Sequence, residues 1–284
     1  MIEVKKMKDR KLFASLLLLF ATLLWGLSYS IQTMASGHLG TFSIVFVKGM
    51  GGVLLYPVLK LMKKKITVQA IRKGILIGVA AFLGCALQQK GLELSTVSKA
   101  SFITALYIVI VPLIEVFSGK RMKIRMIVAV GIALLGLYFL CFSGNMSLQP
   151  GDLILLAGSF FFALQIIFID SASRESDPLV LTFVSQAVIA VLSLSAALFI
   201  ERPTLTDFGN AILPSLYLLL FPGLTATTIQ IVYQKDVGAS LASLLMSFES
   251  VFGALGGWFI LGQTLTGREI FGCLLVFIAI LLAE

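Results

Sequence analysis

The sequence is short of charge, of histidine and of cysteine, and each shortage excludes something. Charged residues make up 13% of the 284 positions, about half the share of a soluble domain. With 58% hydrophobic residues and a mean hydropathy of +1.03, too little polar surface remains to cover a water-soluble fold. A disordered chain, a secreted disulfide scaffold and a typical cytosolic enzyme are excluded with it. The single histidine, His38, follows Gly37 in a short loop. It reads as a solvated residue, since one histidine builds neither a histidine-based zinc site nor an HExxH protease motif. Cys85, Cys141 and Cys273 each lie in an apolar run without CxxC spacing and read as small buried hydrophobes. No metal and no cofactor is expected. The net charge of +8 does not argue for nucleic acid, because what matters is where the basic residues sit.

What the chain has in abundance is long apolar runs. Ten are each long enough to span a bilayer, which takes roughly 20 residues: 12–34, 39–62, 73–93, 97–118, 122–143, 152–170, 178–200, 210–233, 237–261 and 267–283. Turn residues separate them at Gly37-His38, Lys63-Lys64-Lys65, Ser143-Gly144-Asn145, Gln149-Pro150-Gly151, Asp177-Pro178, Glu201-Arg202-Pro203 and Thr266-Gly267. The connections are too short for a soluble domain. Backbone polar groups in lipid must be satisfied internally, so the expectation is an all-α membrane protein of ten transmembrane helices. The basic N-terminal stretch leads into an apolar run without a cleavage site, and reads as a first spanning helix rather than a signal peptide.

Lysine and arginine placement predicts the orientation. With the N-terminus in the cytoplasm, the inner side holds 17 basic residues and the outer side four: Lys90, Lys99, Arg202 and Arg268. Lys48 is left inside the second span. The expectation is a multi-pass cell-membrane protein with both termini cytoplasmic.

The two halves resemble one another. Gly78 precedes Gln89-Lys90 by the same interval as Gly223 precedes Gln234-Lys235. Gly119 and Arg125 are spaced as Gly262 and Arg268, and Trp25-Gly26 lines up with Phe162-Ala163. These matches, in the same order, predict a duplication into residues 1–145 and 146–284. Five helices per copy is an odd number, so the second copy crosses in the opposite sense. That is the inverted repeat of alternating-access carriers, which hold a solute near the midplane.

Particular residues carry a family resemblance. In the first half they are Leu24-Trp25-Gly26, Phe46-Val47-Lys48-Gly49, and the stretch from Leu92 to Phe102 leading into Leu106-Tyr107 and Pro112. In the second they are Ser247-Phe248-Glu249-Ser250-Val251-Phe252, Leu261-Gly262-Gln263 and Gly272. Over essentially its whole length the chain resembles the EamA-type, ten-helix branch of the drug/metabolite transporter superfamily. The resemblance implies a secondary carrier for small organic molecules, often an exporter. Ser250 stands where that family usually has proline, which predicts a straighter ninth helix, and Gln263 stands in place of a boundary acid.

Ionisable groups inside spans are functional candidates by default. Glu249 and Lys48 sit near mid-depth. Glu249 reads either as a proton-coupling carboxylate, or as one member of a Lys48–Glu249 pair that breaks as the carrier switches, or as part of a static pair or hydrogen bond fixing the bundle. Glu115 and Asp170, near span ends, read as interfacial. Uncharged residues supply a candidate cavity lining: Trp25, Tyr29 and Gln32 on one helix face, Gln88, Gln89, Tyr107, Gln165 and Gln186, and the stripe Thr227, Gln230, Gln234. The alternative for each is interhelical hydrogen bonding. Trp258 reads as an interfacial anchor.

The leading expectation is a carrier of an amino acid or related solute by alternating access, with the lipid bilayer as its environment and protons as candidate coupling ion. The alternative is a membrane-embedded enzyme acting on lipid-like substrates. Against it, the intramembrane acids are scattered, without a Dxx(x)D pair, and no Walker A sequence is present.

Overall fold

The computed structural model describes residues 2–141, 149–262, 264 and 266–283; at 2–7, 98, 141 and 261 it describes the backbone alone. The expected break at Ser143-Gly144-Asn145, the half boundary at 145/146 and Gln263 lie outside the described residues. Helix follows helix in the order α1 Ile2–Ala35, α2 Thr41–Val53, α3 Tyr56–Leu61, α4 Val68–Glu93, α5 Val97–Thr104, α6 Tyr107–Phe117, α7 Ile124–Cys141, α8 Pro150–Glu175, α9 Pro178–Ala196, α10 Leu205–Asn210, α11 Ile212–Leu218, α12 Thr227–Val237, α13 Ala239–Met246, α14 Glu249–Leu261 and α15 Gly267–Ala283. Wider turns with i→i+5 bonding follow α9 (Ala197–Glu201) and join α11 to α12 (Leu219–Ala226). No strand occurs among the described residues, as an all-α membrane protein requires.

Among the described residues, eight stretches are long and apolar enough to cross a membrane. The fifth and tenth expected spans are shorter: Ile124–Leu140 is a short apolar helix and α15 has 17 residues, near the lower limit of about 17 for a spanning helix. These two pack side by side, their backbones touching at Gly136 and Gly272.

Helix starts are set by local chemistry. Thr67, Thr96 and Asp177 accept hydrogen bonds from the first free backbone N–H groups of α4, α5 and α9. Arg202 turns the chain in the left-handed region at φ 53. Partial burial pushes the Asp177 carboxyl up, but the Lys64 ammonium, 2.6 Å away, and the N–H groups of Val180 and Leu179 outweigh it and hold it below the usual carboxylate range.

Charged residues pair at the helix ends. Lys73 bonds Glu175 at 2.5 Å, Arg174 bonds Asp170 and the Lys235 carbonyl, Arg10 bonds Asp236, and Lys120 bonds Glu115. Asp170 and Glu115 thus have the end-of-span partners expected of them. Other contacts tie Glu201 to the N–H groups of Phe42 and Ser43, and Lys99 to Asp152 at 2.7 Å. His38 is exposed, as expected. Cys85 and Cys273 are only partly buried, a correction to the reading of them as buried hydrophobes; the side chain of Cys141 is not described.

The first and second parts of the chain pack against each other. α4 packs on α8 and α9, while the α11–α12 stretch packs on α1 and α2. α5 and α6 pack on α8, while α13 and α14 pack on α1. Two spans are interrupted where the halves meet. Between α5 and α6 the N–H of Leu106 bonds Ile103 and that of Ile108 bonds Ala105; between α13 and α14 the N–H of Phe248 bonds Leu245 and that of Ser250 bonds Ser247. In both places the helix tightens to i→i+3 bonding for a turn and then resumes. The expectation that Ser250 straightens the ninth span is therefore corrected. The interruption forms without proline, and the Ser250 hydroxyl donates instead to the Ser101 carbonyl at 2.9 Å.

A candidate solute cavity at the centre of the bundle

Where the helices from both halves meet, they enclose a cavity of about 90 Å³. That is room for a few waters or a small solute, well under the roughly 300–1,000 Å³ of sites for drug-sized ligands. Its wall takes residues from nearly every long helix.

Tyr107 and Glu249 sit at the two interruptions. Each is the first residue of its resumed helix, α6 or α14, and each is buried. The Tyr107 hydroxyl donates to Glu249 Oε1 at 3.0 Å, across a sequence separation of 142. An acid in the first turn of α14 also suits the positive end of the helix dipole.

Lys48 reaches the same cavity from α2. Its ammonium donates to Gln32 Oε1 at 3.2 Å, and the Gln32 amide donates in turn to the Ser28 carbonyl at 3.1 Å. Lys48 and Glu249 are not ion-paired: among the described residues the partner of each is neutral. Neither form of a Lys48–Glu249 pair is made in this conformation, while the Tyr107 bond to Glu249 is a hydrogen bond of the kind that the static alternative included. Gly51 and Gly223 bring the backbones of α2 and the wide turn before α12 into contact, so that a Cβ on Gly51 would lie 2.7 Å from the Leu224 nitrogen.

That wide turn has a local cause. Pro222 has no N–H to donate and its ring crowds the preceding turn, so the coil widens. The hydroxyls of Thr225 and Thr227 bond back five residues, to Leu220 and Pro222. Gln186 of α9 donates to the buried Gly223 carbonyl at 2.6 Å.

Of the residues singled out from sequence, Trp25, Tyr29, Lys48, Gln88, Tyr107, Gln165, Gln186, Thr227, Gln230 and Glu249 line the cavity. Gln88 donates to the Tyr29 hydroxyl at 2.9 Å, and Gln230 to Gln234 Oε1 at 3.1 Å. Three others stand behind the wall. Gln32 holds Lys48, Gln234 bonds the Ile166 carbonyl at 2.7 Å, and Gln89 donates to Ser36 at 2.9 Å. For Gln234 and Gln89 the interhelical alternative describes what the structure shows.

Thr104, Ser185, Cys85, Phe162 and Met246 also line the cavity without having been singled out. Thr104 carries a buried hydroxyl with no hydrogen-bond partner among the described residues. Its signal was available, since it lies one turn before Tyr107. The others are small or apolar and look like any packed residue of a span. Trp258 lies away from the cavity, exposed and against Phe259, as an interfacial side chain would. Among the described residues no group of three or more histidine, cysteine or acidic side chains is placed to hold a metal.

The comparisons with known proteins agree with this architecture. The model of the EamA-like transporter family matches residues 12–142 and again 149–283. An "uncharacterized transporter" of Archaeoglobus fulgidus is 31% identical over 280 residues, covering 97% of this chain and 87% of the relative. A crystal structure of another protein, 18% identical, superposes with a TM-score of 0.79 over 95% of this chain and 97% of its own. At that identity the likeness carries the fold alone.

Proposed function

The chain belongs to the EamA-like transporter family and is a membrane transporter, and from that premise we propose that it is a secondary carrier moving a small zwitterionic solute, an amino acid or a related metabolite. The observation that carries this reading is the unpaired arrangement of Lys48 and Glu249 around one cavity. Burying two opposite charges apart from each other is costly unless something completes them. A zwitterion does so, with its carboxylate on Lys48 and its ammonium on Glu249. Trp25 and Tyr29 supply the apolar and aromatic wall, and the amides of Gln88, Gln165 and Gln230 supply neutral hydrogen bonds.

Alternating access follows from the same arrangement. Residues 1–145 and 146–284 act as two five-helix halves of opposite sense, rocking about the interrupted helices and exposing the cavity to one side at a time. Glu249 exchanges a proton with whichever side is open, and its bond from Tyr107 closes over the emptied site. Export across the cell membrane, with both termini cytoplasmic, is the direction that the family favours.

Purified protein in liposomes tests the reading. Saturable counterflow of radiolabelled amino acids, accelerated by a pH gradient, is the expected result. Ohmic current without saturation would make the chain a channel, and a chemically altered product would make it a membrane-embedded enzyme. A cysteine in place of Lys64 should react with impermeant reagent only from the cytoplasmic side; labelling from outside reverses the topology.

A further inference from the structure

A second recess opens at a cluster of helix ends and shares no lining residue with the central cavity. Its walls come from the start of α1, the end of α6, the connection into α7, the start of α13 and the end of α15. Its volume is about 350 Å³. Five lining side chains are basic, Lys11, Lys120, Arg121, Lys123 and Arg125, against one acid, Glu115. The acid is already engaged: Lys120 bonds one of its oxygens at 2.7 Å and the Ser240 hydroxyl donates to the other. Arg125 donates through Nε to the Leu282 carbonyl, which fixes its guanidinium at the rim. Arg121 and Lys123 are exposed and have no ion-pair partner among the described residues.

Like charges gathered in one recess repel one another, and an anion relieves that repulsion. The flanks of the basic stretch say which kind. Phe117, three residues before Lys120, is 88% exposed, and Ile124, between Lys123 and Arg125, is 74% exposed. Both face outward on helices that the chain's composition puts in lipid. A soluble anion has no use for that apolar border, whereas a phospholipid has a phosphodiester for the recess and acyl chains for the border. We propose that this recess binds the headgroup of an anionic phospholipid, with its phosphate against Arg121, Lys123 and Arg125 and its chains along Phe117 and Ile124. The short helix α7 begins at this point, and so leaves the recess at the level of the headgroups.

The test is lipid retention by the purified full chain in detergent, read by native mass spectrometry after adding equal amounts of phosphatidylglycerol and phosphatidylcholine. Phosphatidylglycerol should be retained preferentially, with the preference falling about fivefold for each basic side chain removed. Arg121→Gln with Lys123→Gln should abolish it, and Lys90→Gln, elsewhere in the chain, should leave it intact. Equal retention of the two lipids, or a preference unchanged in the double variant, overturns the proposal. So does displacement of phosphatidylglycerol by millimolar inorganic phosphate, which would make this a soluble-anion site. If the double variant is not monodisperse, Arg121→Gln alone is read in the same way. The outcome is independent of which solute is carried.

Discussion

The two interrupted helices that meet at the cavity tighten in the same way and place unlike residues at the point where each resumes. α5–α6 and α13–α14 tighten at corresponding positions and resume with Tyr107 and Glu249, and these two residues bond each other. The neighbouring pair behaves in the opposite way. α4 runs as one continuous helix, whereas its counterpart widens at Pro222 between α11 and α12. The first comparison teaches that the interruption belongs to the fold, since neither half needs a proline at the break to make it. The second teaches that a single residue imposes a local departure on one half only. Chemistry therefore enters through a few side chains: a phenol against a carboxylate where the interrupted helices meet, and Pro222 at the widened turn.

The harshest way to break the second comparison is at Gly51. This residue packs against the widened turn with no room for a Cβ, so Gly51→Leu should cost at least the 1–3 kcal/mol typical of overpacking. The expected result is loss of the monodisperse peak or a sharply lower Tm. A variant as stable as the parent would show that the turn yields, and that its contact with α2 is incidental.

The first comparison is sharpened by neutralising each member of the central pair. Glu249→Gln keeps the shape but removes the titrating group and the carboxylate that faces the solute's ammonium, so pH-driven flux should be lost and any remaining solute counterflow should show a raised apparent KM. Tyr107→Phe removes one buried hydrogen bond to the carboxylate, worth about 1.5–3 kcal/mol, and should slow pH-driven flux by tenfold or more without uncoupling it. If the two variants behave alike, the asymmetry between phenol and carboxylate has no mechanistic content. Tyr29→Ala is a smaller intervention. It opens the wall opposite the pair and frees the Gln88 amide, and should raise the apparent KM several-fold with modest loss of maximal rate. Unchanged kinetics would assign Tyr29 to packing.

Much of this was legible in sequence because lipid makes the code simple. The apolar runs, the proline and glycine punctuation and the clustering of lysine and arginine gave the helices and most of their limits. The polar residues that point inward stood out because everything around them is apolar, which is how Tyr107, Gln186 and Gln230 could be picked out. Two kinds of feature were hidden. Gln89 and Gln234 have the same chemistry as cavity residues, and only packing reveals that one bonds Ser36 and the other the Ile166 carbonyl. The interruptions at Ala105 and Ser247 carry no breaker residue. No local pattern encodes them, and the Ser250 bond to the Ser101 carbonyl beside the second is visible only in the packing.

That last contact yields the mildest expected effect. Proline at 250 would fall in the first turn of α14, where a helix tolerates it because the N–H groups there have few intrahelical acceptors. Ser250→Pro would give up the Ser250 N–H bond to Ser247 and the hydroxyl bond to Ser101. Against that, it stiffens the unfolded chain, which is worth about 0.4–1 kcal/mol where the backbone already fits. These terms are of similar size and opposite sign, so Tm should move by only a few degrees and pH-driven flux should be retained. A collapse of folding would mean that the Ser101 contact, rather than the backbone geometry shared with α5–α6, holds the ninth span in its interrupted form.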